Sequence, residues 1–205
     1  MSYPTNIKNR QDIQTCQKVY GKTIQVSFGG ADTGEPGFAS TQIAQEKANM
    51  IWAAFGPNTG DASIPRPFGN AAVDGFDFNY ERPIQNLAAF AQQLQKNADA
   101  SGKHSVFSAA PQCPFPDDNV GDIMGGGPWS LADQISLDLV YVQFYNNEIC
   151  GTNNFGTNTA AFNFASWDNW AKTVSKNPNV KFSWEFLAIL VHLGLVMYQF
   201  RLFKA

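Results

Sequence analysis

Residues 74–81 read DGFDFNYE and set acidic and amide side chains at alternate positions. Along an extended strand successive side chains point to opposite faces. Asp77, Asn79 and Glu81 would therefore share one face, and Phe76, Phe78 and Tyr80 the other. Burying three polar groups on an otherwise apolar strand is costly unless they have a task. Asp77 and Glu81 flank Asn79 closely enough to couple. Burial and mutual repulsion would hold one carboxyl protonated near neutral pH, as a general acid requires. The plainer alternative is an exposed edge strand whose polar face carries no chemistry.

Such a strand needs neighbours, and the chain supplies them by alternating strand-like and helix-like stretches from Gln11 onward. Residues 23–28 (TIQVSF) are β-rich and leave through Gly29 and Gly30. Residues 42–55 place Ile43, Met50, Ile51, Ala54 and Phe55 at roughly helical spacing before Gly56 and Pro57 stop the helix. A second strand is expected over 72–80. A helix with Leu87, Phe90, Ala91 and Leu94 on one face follows it. Strands over 105–110 and 137–145 come next. A helix beginning at Ser166, with Ser166 as N-cap, buries Trp167, Trp170 and Val174, and a further strand starts at 179. This alternation predicts parallel βα units. The long Gly- and Pro-rich loops over 56–69 and 111–129 follow strand or helix ends, where function usually sits.

Composition narrows the classes. Of the 205 residues, 44% are hydrophobic and 14% aromatic, a globular mixture with 17 Phe. Only 15% are charged, the net charge is −3, and Lys and Arg form no stripe, so nucleic acid is an unsuited partner. No His, Cys or acidic spacing calls for a metal, and nothing calls for an organic cofactor. Cys16, Cys113 and Cys150 make an odd count: one thiol is free, or its partner lies outside this chain. The polar N-terminus has no signal-peptide pattern.

Taken together, these segments resemble glycoside hydrolase family 18, and within it the class III chitinases of plants and fungi. DGFDFNYE is similar to that family's DGxDxDxE strand. SFGG (27–30), SAAPQCPFPD (108–117), YVQFYNN (141–147), FNFASWDNWAK (162–172) and NPNVK (177–181) match other family segments in order. The resemblance covers about residues 10–182, and the FNFASWDNWAK run is fungal in type. It implies an α/β fold, a (β/α)8 TIM barrel. Of that barrel, strands three to about seven are expected here, with one, two and eight missing. It implies a secreted monomer that acts on chitin or chito-oligosaccharides, away from membranes.

The resemblance also assigns roles by position. Glu81 corresponds to the acid that protonates the glycosidic oxygen. The family is a substrate-assisted exception to the two-carboxylate scheme, because the substrate's own acetamido oxygen attacks the anomeric carbon. Asn79 stands where the family has the aspartate that steadies the resulting oxazolinium ion, and Asp77 is the next aspartate inward. Tyr145 corresponds to the tyrosine that hydrogen-bonds the acetamido group. Gln143 and Asn146 stand beside it, and Gly30 and Gln112 belong to the same substrate subsite. Cys113 and Cys150 match the pair that bridges two of the barrel loops. Cys16 pairs upstream in the family. Losing a preorganised charge commonly costs on the order of 10²–10³ in rate. Asn79 therefore predicts a weak enzyme or a non-catalytic, lectin-like chitin binder.

Residues 1–181 are expected to be a partial catalytic domain, and residues 182–205 change character. FSWEFLAILVHLGLVMYQFRLF reads at first as a short membrane anchor, but Glu185 and His192 lie within it and its length barely spans a bilayer. Read one base out of frame from the Lys181 codon, its opening codons permit Val-Phe-Leu-Gly-Ile-Pro, which resembles the family's seventh strand. An out-of-frame tail is the expectation, and with it a third possibility, the non-functional product of a damaged gene.

Overall fold

The computed structural model describes residues 7–30, 34, 37–57, 63–117, 131–158, 161–188 and 198–201. Alternation in residues 75–79 decides how the sheet is faced. Phe76 and Phe78 turn to one side, are at most 1% exposed and join the main core with Phe107, Val140, Val142 and Phe144. Gln25, Ser27, Asp77, Val106 and Tyr141 turn to the other and line a concave surface. One face is thus apolar and lies under helices, and the other carries the polar groups.

The five parallel strands run in chain order: β1 (Gln25–Gly29), β2 (Gly75–Asn79), β3 (Val106–Ala109), β4 (Leu139–Gln143) and β5 (Lys181–Ala188). A sixth, β6 (Tyr198–Arg201), lies antiparallel outside β5. Among the described residues β1 and β6 are the two edges, so this parallel α/β sheet does not close into a barrel. The helices are α1 (Ile7–Lys18), α2 (Thr41–Phe55), α3 (Leu87–Ala100), α4 (Leu131–Gln134) and α5 (Phe164–Thr173). None of the described helices is long and apolar enough to cross a membrane.

Helix α2 starts where the Ser40 hydroxyl accepts the Ile43 N–H at 3.2 Å. It buries Ala44 and Ala48, whose small side chains let α3 approach with Leu87, Phe90, Ala91 and Leu94. Phe90 meets Phe28 edge-on at 5.6 Å and stacks on Phe38 at 4.9 Å, which joins the helix layer to the sheet.

Arg66 ties the end of α2 to the chain that re-enters the sheet. Its guanidinium donates to the carbonyls of Ala53, Gly56 (2.7 Å), Gly69 (2.8 Å) and Ala71 (3.2 Å). Two of these acceptors lie in the last turn of α2 or just past it, where helical carbonyls lack partners. Burial lowers the Arg66 pKa below its ordinary value, yet a guanidinium remains charged. Arg66→Ala is expected to cost about 2–4 kcal/mol, since each charge-assisted bond contributes more than a neutral one. Arg66→Lys should recover less than half, because an ammonium has no planar fork. Denaturant melts measure both, and a loss below about 0.5 kcal/mol for the alanine variant contradicts this account.

Several boundaries differ from expectation. β2 covers 75–79 rather than 72–80, and Glu81 falls in the bend beyond it, just before Arg82 and Pro83. Pro83 has no N–H to extend the ladder. Helix α5 starts at Phe164, so Ser166 is not its N-cap. The flanking residue Asn163 makes no side-chain cap bond and donates instead to the Cys113 carbonyl at 2.7 Å. Val174 lies just past α5 and is 58% exposed rather than on its buried face. The last parallel strand begins at Lys181, because Asn177–Asn179 is a turn in which the Asn177 side-chain oxygen accepts the Asn179 N–H. Helix α1 forms in a polar stretch without apolar periodicity. Its Gln17 side chain donates to Asp74 (2.8 Å) and to the Ala72 carbonyl (2.9 Å).

Candidate active site

The concave face is ordered by strand register. Ser27, Asp77 and Ser108 are direct partners across β1, β2 and β3. Asp77 is 1% exposed, and both carboxyl oxygens are engaged. The Ser27 hydroxyl donates to one at 2.7 Å and the Ser108 hydroxyl to the other at 2.5 Å. The two serines were not among the expected site residues. A polar side chain at an inward position of a buried strand was their signal, since such a group needs a partner.

One step along β2, Asn79 is half-buried at the strand's C-terminal end, and its side-chain oxygen accepts from Gln143 Nε2 at 3.0 Å. Gln143 is 2% exposed and also donates to the Ala110 carbonyl at 2.8 Å, so its amide is fixed at both contacts. The backbone of Asn79 is held from the other side. The Gly30 N–H donates to its carbonyl at 2.6 Å, and Gly29 passes so close that a β-carbon there would stand 2.3 Å from the same oxygen. With φ near +100° both residues need glycine for conformation, and Gly29 needs it for room as well. Gly30 was expected at the site. Gly29 makes the closer approach.

Glu81 is half-buried beyond the strand end and accepts from Gln112 Nε2 at 3.3 Å. Gln112 and Gln143 form a parallel bridge, which sets the two glutamine side chains side by side. One reaches Glu81 and the other Asn79. The Gln112 N–H donates in turn to the fully buried Asp117 at 3.1 Å. Asp77 and Glu81 thus have separate partners. Asp74 lies apart from the site: it accepts the Ile24 N–H at 2.9 Å and pairs with Lys103 at 3.4 Å.

Tyr145 is half-buried in the bend after β4, and its carbonyl accepts from the Asn147 side chain at 3.1 Å. Asn146 is exposed in the left-handed conformation, φ 55°, which asparagine tolerates better than most residues. The loops bearing Gln112 and these residues are joined by a Cys113–Cys150 disulfide, with Cα atoms 5.9 Å apart. Cys16 makes no disulfide. Below Asp77, toward the N-terminal ends of the strands, a cavity of about 640 Å³ is lined by Lys22, Gln25, Ser27, Tyr141 and Lys181. It belongs to the open concave face rather than to the neighbourhood of Glu81.

Parallel βα units with a polar site at the strand C-terminal ends place the chain among the α/β proteins. It is 48% identical over 174 residues to "Endochitinase 33" of Trichoderma harzianum, a match covering 83% of this chain and 51% of that protein. To a "Class III chitinase" of Arthroderma benhamiae it is 44% identical over 176 residues, again 83% and 51%. Among solved structures, a xylanase and α-amylase inhibitor protein from Scadoxus multiflorus superposes with TM-score 0.69 at 28% identity. That match covers 88% of this chain and 60% of the other. A chitinase from Ipomoea carnea gives TM-score 0.65 at 29% identity, over 80% and 55%. No family model matches the chain. The chain is a homologue of the fungal class III chitinases, and its structural neighbours are chitinase-like proteins of glycoside hydrolase family 18. It spans about half the length of the curated relatives it matches.

Proposed function

We propose that this chain carries a chitinase-type site for β-1,4-linked N-acetylglucosamine, weakened at one position. The observation behind this reading is the placement of Glu81 and Asn79 at the end of β2, each oriented by its own glutamine. Glu81 donates its proton to the glycosidic oxygen as the C–O bond breaks. The substrate's acetamido oxygen bonds to the anomeric carbon and gives an oxazolinium ion. Water then attacks that carbon as its bond to the acetamido oxygen breaks, Glu81 takes the water's proton, and the acetamido group is restored with the β-configuration retained. Asp77 anchors the strand below through Ser27 and Ser108, and Tyr145 and Asn146 border the sugar.

Proton NMR of freshly cleaved chitotetraose tests the reaction type. The initial product should be the β-anomer, and an initial α-anomer would exclude the retaining route. A second reading, chitin binding without turnover, is favoured by Asn79 itself, since an amide brings no charge to the cation. The likeness to an inhibitor protein is compatible with it. Retention on chitin beads with no detectable hydrolysis would select that reading. The buried disulfide suits an oxidising, extracellular setting. For residues 182–205 the shifted-frame origin stands as a proposal. Residues 181–185 still pair in register with β4, and the nucleotide sequence of the gene around the Lys181 codon decides the matter.

A further inference from the structure

The loops after β3 and β4 expose three large apolar side chains: Phe115 at 39%, Ile149 at 73% and Phe155 at 63%. The Cys113–Cys150 disulfide joins these loops, with Phe115 just past one half-cystine and Ile149 and Phe155 on either side of the other. Both rings rest on other aromatics. Phe115 meets Trp167 edge-on at 5.0 Å and 74°, and Phe155 meets Phe162 at 5.4 Å and 81°. Trp167 is fully buried, and its indole N–H donates to the Cys113 carbonyl at 2.8 Å. The chain between Cys150 and Phe155 is held as well, since the Asn153 and Asn154 amides both donate to the Glu148 carbonyl.

Two supported rings and Ile149, on loops joined by one disulfide, make a candidate contact surface. The same two loops carry Gln112, Tyr145 and Asn146, so the rings and the candidate active site share the strand C-terminal end of the fold. Asn146, Asn147, Asn153 and Asn154 lie on the same loop with the exposed Glu148, a mostly amide set whose side-chain oxygens can accept from hydroxyl and acetamido groups. The pyranose faces of a β-1,4-linked polymer present C–H groups of slight positive charge, which match the negative face of an aromatic ring. The geometry points to Phe115 and Phe155 as a secondary platform for a polymer of N-acetylglucosamine, outside the cleft at Glu81. This inference rests on the chitinase-type reading of that cleft.

The test compares the full chain with Phe155→Ala, Phe115→Ala/Phe155→Ala and Phe155→Trp. Retention on insoluble chitin reports the platform, calorimetry with soluble chitotriose reports the cleft, and near-UV circular dichroism checks folding. Retention should fall about threefold to tenfold per ring removed and recover fully in the tryptophan variant, with chitotriose affinity changed less than about twofold. Unchanged retention in the double variant overturns the platform. So does a parallel loss of chitotriose affinity or of the near-UV spectrum, or a wild-type chain that binds chitotriose but not the polymer. Sedimentation showing a dimer that the variants dissolve reassigns the patch to a contact between copies and also overturns it. A folded wild-type chain that binds neither ligand overturns the underlying cleft reading, and the platform with it.

Discussion

Replacing Asn79 by aspartate raises turnover of a fluorogenic chito-oligosaccharide by about 10²–10³-fold, chiefly in kcat. The site is already arranged for a carboxylate. Gln143 Nε2 donates to the Asn79 oxygen at 3.0 Å, and a carboxylate oxygen accepts that bond at least as well. Gly29 and Gly30 hold the backbone beneath it whatever the side chain. What asparagine lacks is charge and a second acceptor. Its single oxygen already accepts from Gln143, while its nitrogen is a donor facing a substrate whose acetamido N–H needs an acceptor. A carboxylate supplies both, and on the proposed reading it does so beside the carbon where positive charge develops in the transition state. The gain belongs in kcat because the ground-state sugar is neutral. Equal rates for the two proteins would show that the charge at this position does not limit catalysis.

Glu81→Gln, made in the Asn79→Asp background, should remove at least about 10²-fold of that activity and as much as about 10⁴-fold. Glutamine keeps the volume and an oxygen for the Gln112 contact, so the bend after β2 retains its geometry. It has no proton to give to a leaving oxygen. Chitotriose affinity and the melting temperature should stay near those of the parent, which separates loss of the acid from loss of the fold. Residual activity above one tenth of the parent's would assign the proton to another group. Asp77 is a poor substitute for that role. It is 1% exposed, engaged by two serine hydroxyls, and lies four residues before Glu81 in the chain.

Much of the architecture is legible in the sequence. Period-two alternation in DGFDFNYE placed Phe76 and Phe78 on one face and Asp77 on the other, because a pleated strand allows no other division. Gly and Pro marked the element ends well enough to find five parallel strands. They misjudged where α5 starts and how long β2 runs, since a cap or a strand end depends on where remote carbonyls compete for the same groups. Asn163 was drawn to the Cys113 carbonyl, fifty residues away in sequence.

The parts of DGFDFNYE have distinct surroundings in the folded chain. Local sequence established that Asp77 and Asn79 share one face of one strand, because spacing within a strand is set by covalent geometry alone, whereas Glu81, expected on the same strand, falls in the bend beyond it. It carried no information on which group would touch which. Parallel register brought Ser27 and Ser108 to Asp77, and the bridge between Gln112 and Gln143 sent one amide to Glu81 and the other to Asn79. Those partners come from strands some 30 to 65 residues apart in the chain. Hydrogen bonds between such distant residues form only when the sheet assembles, and that assembly assigns each carboxyl its neighbours.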